Sequence, residues 1–269
     1  MKQKFIAEND SKRSEFLYSF LNNKKYNNFD IGRSTIPKTI ILYWHNLNEL
    51  PFDVLECIES WKILEKQGFE FKLFDNDSAK IFIRENLDSE CLKAYLNCHH
   101  PAMRCDYFRL CYLYICGGFY VDCDEYLLTS DLNNLFDNDY IKLQPLCYSV
   151  EQNSMVENES YITDPYDPSR TYYFNNNPII SPPRHDLILI ALKRSTKKLL
   201  YDKDLSDIQS ITGPGNISAA LTYYLLKGHV EIDIIKQWNL ISETRWPLSY
   251  RNDDRNWRIY NPSQKKWFE

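Results

Sequence analysis

Residues 101–126, PAMRCDYFRLCYLYICGGFYVDCDEY, limit the folds open to this chain more than any other stretch. From Ala102 to Cys116 the residues are mostly helix formers, and Met103, Tyr107, Leu110, Leu113 and Tyr114 recur at helical intervals. That spacing predicts a helix. Asp106 and Arg109 lie three apart and share one of its faces. Gly117-Gly118 ends the helix, because glycine enters the left-handed cap conformation without a Cβ penalty. Phe119-Tyr120-Val121 then reads as a short strand. Asp122 and Asp124 follow two residues apart, which on an extended chain puts both carboxylates on one side.

Carboxylates that close repel each other and are kept together by a cation or by solvent. Oxygen ligands with open positions suit Mg²⁺ or Mn²⁺, held by one or two carboxylates plus substrate phosphates. A bare Asp-x-Asp is common by chance, and Asp75-Asn-Asp77 is a second one in this chain. There, Asp75 or Asp77 reads as the N-cap of a following helix. The apolar strand before Asp122 and the Asp106/Arg109 pair behind it mark a convergent polar site instead.

The ordered set Asp106-Tyr-Phe-Arg109, Gly117-Gly118 and Tyr120-Val-Asp122-Cys-Asp124 resembles the DXD-containing sugar-transferase region of glycosyltransferase family 32. That family includes capsular-polysaccharide and mannosyltransferase-like sugar transferases. The set is more distantly similar to the glucosyltransferase domains of the large clostridial toxins. The resemblance covers about residues 36–220. It implies an α/β fold of the GT-A type, a mixed, mostly parallel sheet flanked by helices. Residues 31–269 would form this single domain, after an N-terminal helical arm over residues 1–30. It also implies a metal-dependent hexosyltransferase that retains the anomeric configuration. The donor would be a UDP- or GDP-sugar, with UDP favoured. The acceptor would be a glycan, a lipid-linked glycan or a protein. Asp106 and Arg109 would hold sugar hydroxyls, with Tyr120 also on the donor side. Asp122 would contact the ribose, the sugar or, through water, the metal. Asp124 would hold a Mn²⁺ or Mg²⁺ ion that bridges to the diphosphate.

Upstream, Ile36 to Asn46 is a near-continuous apolar run, as in a strand buried on both faces. Trp44 falls at its C-terminal end, where ligands bind in open α/β sheets. The run also resembles the family's opening strand, so Trp44 is expected to stack the nucleotide base. A helix over Pro51–Gly68, a half-buried strand over Phe69–Phe74, and helices over Ser78–Asn86 and Asp88–Cys98 complete an α/β order.

Downstream, Tyr140–Leu143 reads as a strand, and Ser149–Tyr173 as a polar lid or insertion. Tyr172 to His185 is similar to the family's amide residue, apolar strand, turn and helix-opening histidine. The likeness places Asn176 near the anomeric side of the sugar, with Asn175 and Asn177 as rivals. Asp186–Tyr201 is an amphipathic helix. Thr212-Gly-Pro-Gly-Asn216 precedes a helix over Ile217–Lys227 and resembles the Thr-Gly-Pro turn on the family's acceptor side. Beyond it the resemblance thins, with no histidine after His229. In Asp253-Asp254-Arg255-Asn256-Trp257, Trp257 is expected to cap the donor. Asp254 or Asn256 would complete the metal shell.

A net charge of -5 argues against a nucleic-acid partner. No apolar run is long enough for a transmembrane helix, and the first residues lack a signal-peptide core. The eight cysteines include no C-x-x-C pair. Cys91, Cys98 and Cys105 recur every seven residues, which one helix would line up in a stripe. They read as free thiols in a reducing compartment. A cytoplasmic protein is expected, peripheral at the inner membrane face or a secreted effector. Two other classes also fit an Asp-x-Asp after an apolar strand. One is a phosphatase of the haloacid-dehalogenase type, against which Tyr126 counts, since that family has Thr or Val there. The other is a non-catalytic protein that binds sugar nucleotides or glycans.

Overall fold

The computed structural model describes residues 2–23, 35–156, 159–260 and 267–268. Two N-terminal helices, α1 (Lys2–Glu8) and α2 (Asp10–Asn23), pack onto the body of the protein. Leu17 and Leu21 of α2 enter the main core. Glu8 pairs with Arg194 at 2.7 Å. The rest of the expected arm, residues 24–30, lies outside the described residues.

The strands β1 (Thr39–Tyr43) and β2 (Glu70–Phe74) pair in parallel, with α3 (Phe52–Trp61) between them in sequence. A 3-10 turn, Lys62–Gln67, continues α3 to Gly68, which takes the left-handed conformation at φ 82°. Every residue of β1 is buried. Ile41 and Tyr43 face one core cluster, and Ile40 and Leu42 the other. That is the period-two alternation of a strand covered on both sides.

Helices α4 (Asn76–Asn86), α5 (Ser89–Asn97) and α6 (Pro101–Cys116) follow. Asp75 caps α4 through a reciprocal pair with Ser78, so the second Asp-x-Asp is a capping box. The break before Pro101 puts Cys91 on α5, Cys98 at its end and Cys105 on α6, so they form no single stripe. All eight cysteines are unpaired.

After α6, Gly117 and Gly118 take φ of 67° and 111° and turn the chain into β3 (Gly118–Tyr120). A Cβ on Gly117 would lie 2.6 Å from the Pro183 nitrogen, so only glycine fits there. Next come β4 (Glu125–Leu127), β5 (Ile141–Ser149), the two-residue β6 (Ser154–Met155) and β7 (Arg170–Ser181). Strand β5 runs past the expected Leu143, and β7 begins inside the expected polar segment. The register of the two strands shifts between Leu143 and Pro145, and that irregularity lets a proline sit inside a strand.

Helices α7 (Asp186–Tyr201), α8 (Ile208–Ile211) and α9 (Pro214–Leu226) cover the sheet. Next come β8 (Ile232–Ile234), α10 (Trp238–Ile241) and β9 (Ser242–Thr244), followed by a 3-10 turn at Ser249–Asn252.

The main sheet runs β2-β1-β3-β7-β5-β6, with β8 also on β5. Strand β1 is parallel to β2 and β3, and β8 is parallel to β5, while β7 runs antiparallel to β3 and β5. Strand β4 leaves this sheet to pair with β9. The result is a mixed α/β fold. Trp44 follows the C-terminal end of β1 and Asp122 that of neighbouring β3, the edge at which such sheets bind ligands. Among the described residues, no helix is long and apolar enough to cross a membrane.

Candidate active site

His100 caps α6 and Pro101 occupies its first turn. The helix passes through the core, so Asp106 and Arg109 are only 9% and 2% exposed. Charges at that depth need partners. Arg109 Nη2 lies 2.8 Å from both Asp106 Oδ1 and Asp122 Oδ1. Its Nη1 donates to the Asn176 carbonyl, and its guanidinium rests 4.3 Å over the Tyr120 ring. Asn176 Nδ2 donates to Asp106 Oδ1 at 2.8 Å, and Thr212 Oγ1 to Asp106 Oδ2 at 3.3 Å. Burial pushes the Asp106 carboxyl above its ordinary pKa, against Arg109 and these two donors.

The Asp-x-Asp is a turn, not an extended segment. The Glu125 N–H donates to the Asp122 carbonyl at 3.1 Å. The chain must bend here because β4 joins a different sheet from β3. Asp122 and Asp124 nevertheless line one cavity of about 500 Å³, a volume within the range of small-molecule sites. The Asp122 N–H donates to Asn177 Oδ1 at 2.9 Å, and Tyr120 OH donates to Asp122 Oδ1 at 3.2 Å. The Asp122 side chain keeps 30% of its surface exposed. Burial, helped by the Asp124 and Asp106 charges, raises its pKa to about 7 against the pull of Arg109. Asp124 Oδ2 accepts from Tyr250 OH at 2.8 Å and from Arg251 Nη2 at 2.5 Å.

Asp122 Oδ2 and Asp124 Oδ1 accept no hydrogen bond among the described residues. They are two carboxylate oxygens open to a hard cation. Among the described residues, no three His, Cys, Asp or Glu side chains converge to hold a metal alone. A divalent ion here would therefore draw its other ligands from water and phosphate, the usual habit of Mg²⁺.

Residues 51–142 match the family described as "Glycosyltransferase sugar-binding region containing DXD motif". The chain therefore carries a glycosyltransferase DXD region. The matched stretch holds Asp106, Arg109, Asp122 and Asp124, and leaves Trp44, Asn176 and Trp257 outside it. A solved structure titled "PaToxG Glycosyltransferase" is similar, at 16% identity over 85% of this chain and 82% of that one, with a TM-score of 0.49. No curated protein matches the sequence.

The fold brings most of the residues expected from the sequence to this cavity. Trp44, Asp106, Arg109, Asp122, Asp124, Asn176, Asn256 and Trp257 all line it. Tyr120 lies behind, fully buried under Arg109. Among the described residues, the buried Trp44 indole N–H has no partner, a donor left over for a ligand. Of the three asparagines, Asn176 holds Asp106, while Asn177 binds the Asp122 N–H and Glu125. Among the described residues, Asn175 bonds only within its own strand and to Gln144. The amide of Asn256 is engaged with backbone, donating to the Arg251 carbonyl at 2.8 Å and accepting from the Arg258 N–H at 3.1 Å. Asp254 is not part of the lining. Its carbonyl accepts from Trp267 Nε1 at 3.2 Å and meets His100 Nε2 at 2.9 Å.

Sequence reasoning passed over Glu125. Its buried carboxylate accepts from Asn177 Nδ2, Thr244 Oγ1, Trp238 Nε1 and Ser242 Oγ. All four are donors, so the group serves as an acceptor, although burial and Asp124 raise its pKa. A glutamate inside an apolar strand was the available signal. Tyr250, Arg251 and Trp246 also line the cavity, and their loop carries no local pattern that would mark them. Cys105 and Cys123 line it too, but burial raises the Cys105 thiol to about 12 and Cys123 well above its normal value. Both stay protonated and are poor nucleophiles.

Proposed function

We propose that this glycosyltransferase is metal-dependent and retaining. It would take its sugar from a nucleotide sugar, a UDP-sugar in the first instance, and pass it to a glycan or protein acceptor. Residues 31–269 would form one GT-A domain, with residues 1–30 as its arm. The observation that carries it is the single Arg109 Nη2 joining Asp106 and Asp122, with the open oxygens of Asp122 and Asp124 on the same cavity.

A Mn²⁺ or Mg²⁺ ion at Asp124, with Asp122 beside it, would neutralise charge on the departing diphosphate. Asp122 is the most open carboxylate of the linked set, so it reaches the ribose or sugar. Asp106 and Asn176 form the neighbouring wall and offer an acceptor and a donor to sugar hydroxyls. Arg109 engages its Nη groups with Asp106, Asp122 and Asn176, so it acts on the sugar by fixing those three. Trp44 offers a face and an unused N–H to the base, and Trp257 closes the far side. Thr212 and the start of α9 shape the acceptor side. The acceptor hydroxyl attacks from the face the diphosphate leaves, and the departing phosphate takes its proton. No protein general base is assigned.

A donor screen tests the reading. The protein is incubated with a panel of nucleotide sugars and Mn²⁺, and release of nucleoside diphosphate is followed, with Asp124→Ala as control. Metal-dependent release from one donor, lost in the variant, is the expected result. No release from any donor, with no rise in melting temperature from UDP or GDP plus Mn²⁺, would overturn it.

A further inference from the structure

Arg251 stands on the carboxylate that a divalent cation needs. Its Nη2 meets Asp124 Oδ2, and both side chains are largely buried, 12% and 16% exposed. Two cations on one carboxylate repel each other, and the repulsion is strong where water is scarce. A diphosphate arriving with such an ion would reverse the balance, because it offsets the ion's charge and gives a guanidinium oxygens to bind.

The surroundings of Arg251 suit that second partner. Among the described residues its buried Nε has no hydrogen-bond acceptor, so the ion pair with Asp124 leaves a donor unused. The guanidinium packs against Trp246 at 4.4 Å and Tyr250 at 5.4 Å, which hold its plane towards the cavity it lines. Arg258 lines the same cavity, set against Trp257 at 4.6 Å and Trp246 at 5.4 Å. Among the described residues it pairs with no carboxylate. The intervening Arg255 differs, since it is tied to Asp253 at 2.6 Å. Asn256 bonds the backbone of both Arg251 and Arg258 and so fixes one relative to the other.

We propose that Arg251 opposes a bare divalent cation at Asp124 and, with Arg258, receives the diphosphate that arrives with the cation. The ion and the nucleotide then bind as a unit, and Arg251 and Arg258 are binding residues for the leaving group. This rests on the donor site proposed above.

Titration calorimetry on the full chain tests it, with Mn²⁺ alone and with UDP or GDP, whichever the unaltered protein binds, at saturating Mn²⁺. Arg251→Gln is expected to bind Mn²⁺ alone roughly tenfold more tightly and the nucleotide roughly tenfold more weakly. These opposite signs separate the proposal from a structural role, which would weaken both. Arg258→Gln touches no carboxylate. It is expected to leave Mn²⁺ binding unchanged and to weaken the nucleotide by a similar factor. Shifts of Arg251→Gln in the same direction, or in neither titration, overturn the proposal. So does an Arg258→Gln variant that binds nucleotide like the unaltered protein, and this arm decides if Arg251→Gln does not fold. An unaltered protein that binds neither UDP nor GDP overturns the donor site, and this proposal with it. Nucleotide binding in the unaltered protein with unchanged variants overturns this proposal alone.

Discussion

His100 and Asp254, 154 residues apart in the chain, meet at 2.9 Å between the imidazole Nε2 and the Asp254 carbonyl. The other ring nitrogen, Nδ1, accepts from the Ala102 N–H at 3.1 Å and caps α6. A carbonyl can only accept and an N–H can only donate, so His100 is the neutral tautomer with its proton on Nε2. One side chain thus anchors the helix of Asp106 and Arg109 and pins the segment that carries Arg251 and Trp257.

This arrangement gives a pH dependence. Burial lowers the pKa of His100 from 6.5 to about 4. His185, which caps α7 in the same way, is likewise lowered to about 4 by burial. Below pH 6.5 the unfolded chain takes up protons that the folded chain refuses. The histidine contribution to stability therefore falls as the pH drops from 6.5 towards 4, by up to about 3 kcal/mol for each histidine. Asp106, Asp122 and Glu125, raised by burial, act with the opposite sign, but equally in protein and variant. His100→Asn keeps a capping oxygen and is expected to remove the His100 share of the slope. Urea midpoints at pH 7, 6 and 5 read the slope, and an unaltered slope in the variant contradicts the assignment.

Arg109 is the only cation in direct contact with both Asp106 and Asp122 among the described residues. Arg109→Ala leaves two shielded carboxylates without it and is expected to cost about 3–5 kcal/mol of stability. Arg109→Lys keeps the charge without the planar fork. It is expected to fold and yet lose turnover by roughly a hundredfold through misplaced carboxylates. Denaturation curves beside donor turnover distinguish the two; an active Arg109→Lys would show that the fork is dispensable.

Glu125 accepts from four donors at once. Glu125→Gln turns one acceptor into a donor facing donors and is expected to destabilise by about 2 kcal/mol. It also releases Asn177, which holds the Asp122 N–H, so turnover should fall more than the loss of folded protein explains. Melting temperature and specific activity are compared on the same sample. Equal losses in both would make Glu125 a packing residue alone.

The two positive-φ glycines before β3 and β2 should differ. Gly68 has φ 82° and open space around it, whereas a Cβ on Gly117 would meet Pro183 and the Ser181 carbonyl at 2.6–2.8 Å. Gly68→Ala is expected to cost roughly 1–2 kcal/mol, from backbone strain alone. Gly117→Ala is expected to exceed about 3 kcal/mol, because the clash adds to that strain. Chemical denaturation of both variants tests the order, and equal costs would remove the steric argument.

What the sequence determined by itself is local. Helix α6, its stop at Gly117, the cap at Asp75, helix α7 and the buried strand β1 are written in spacing and in glycine or capping chemistry. Those effects act over a few residues and can be read wherever they occur. The Asp106/Arg109 pair and the Asp122/Asp124 pair were legible for the same reason.

Tertiary structure decided the rest. The Asp-x-Asp became a turn because β4 finds its partner in β9, far along the chain. Strand β5 runs through Pro145 because β7 offers a shifted register there. The three regularly spaced cysteines fell on separate elements once Pro101 began a new helix. Glu125 is tolerated inside the protein because donors from Asn177, Trp238, Ser242 and Thr244 converge on it. Arg251 reaches Asp124 across 127 positions of sequence. An ion pair made at that distance leaves no periodicity or capping pattern at either end, so only the folded chain brings it into being.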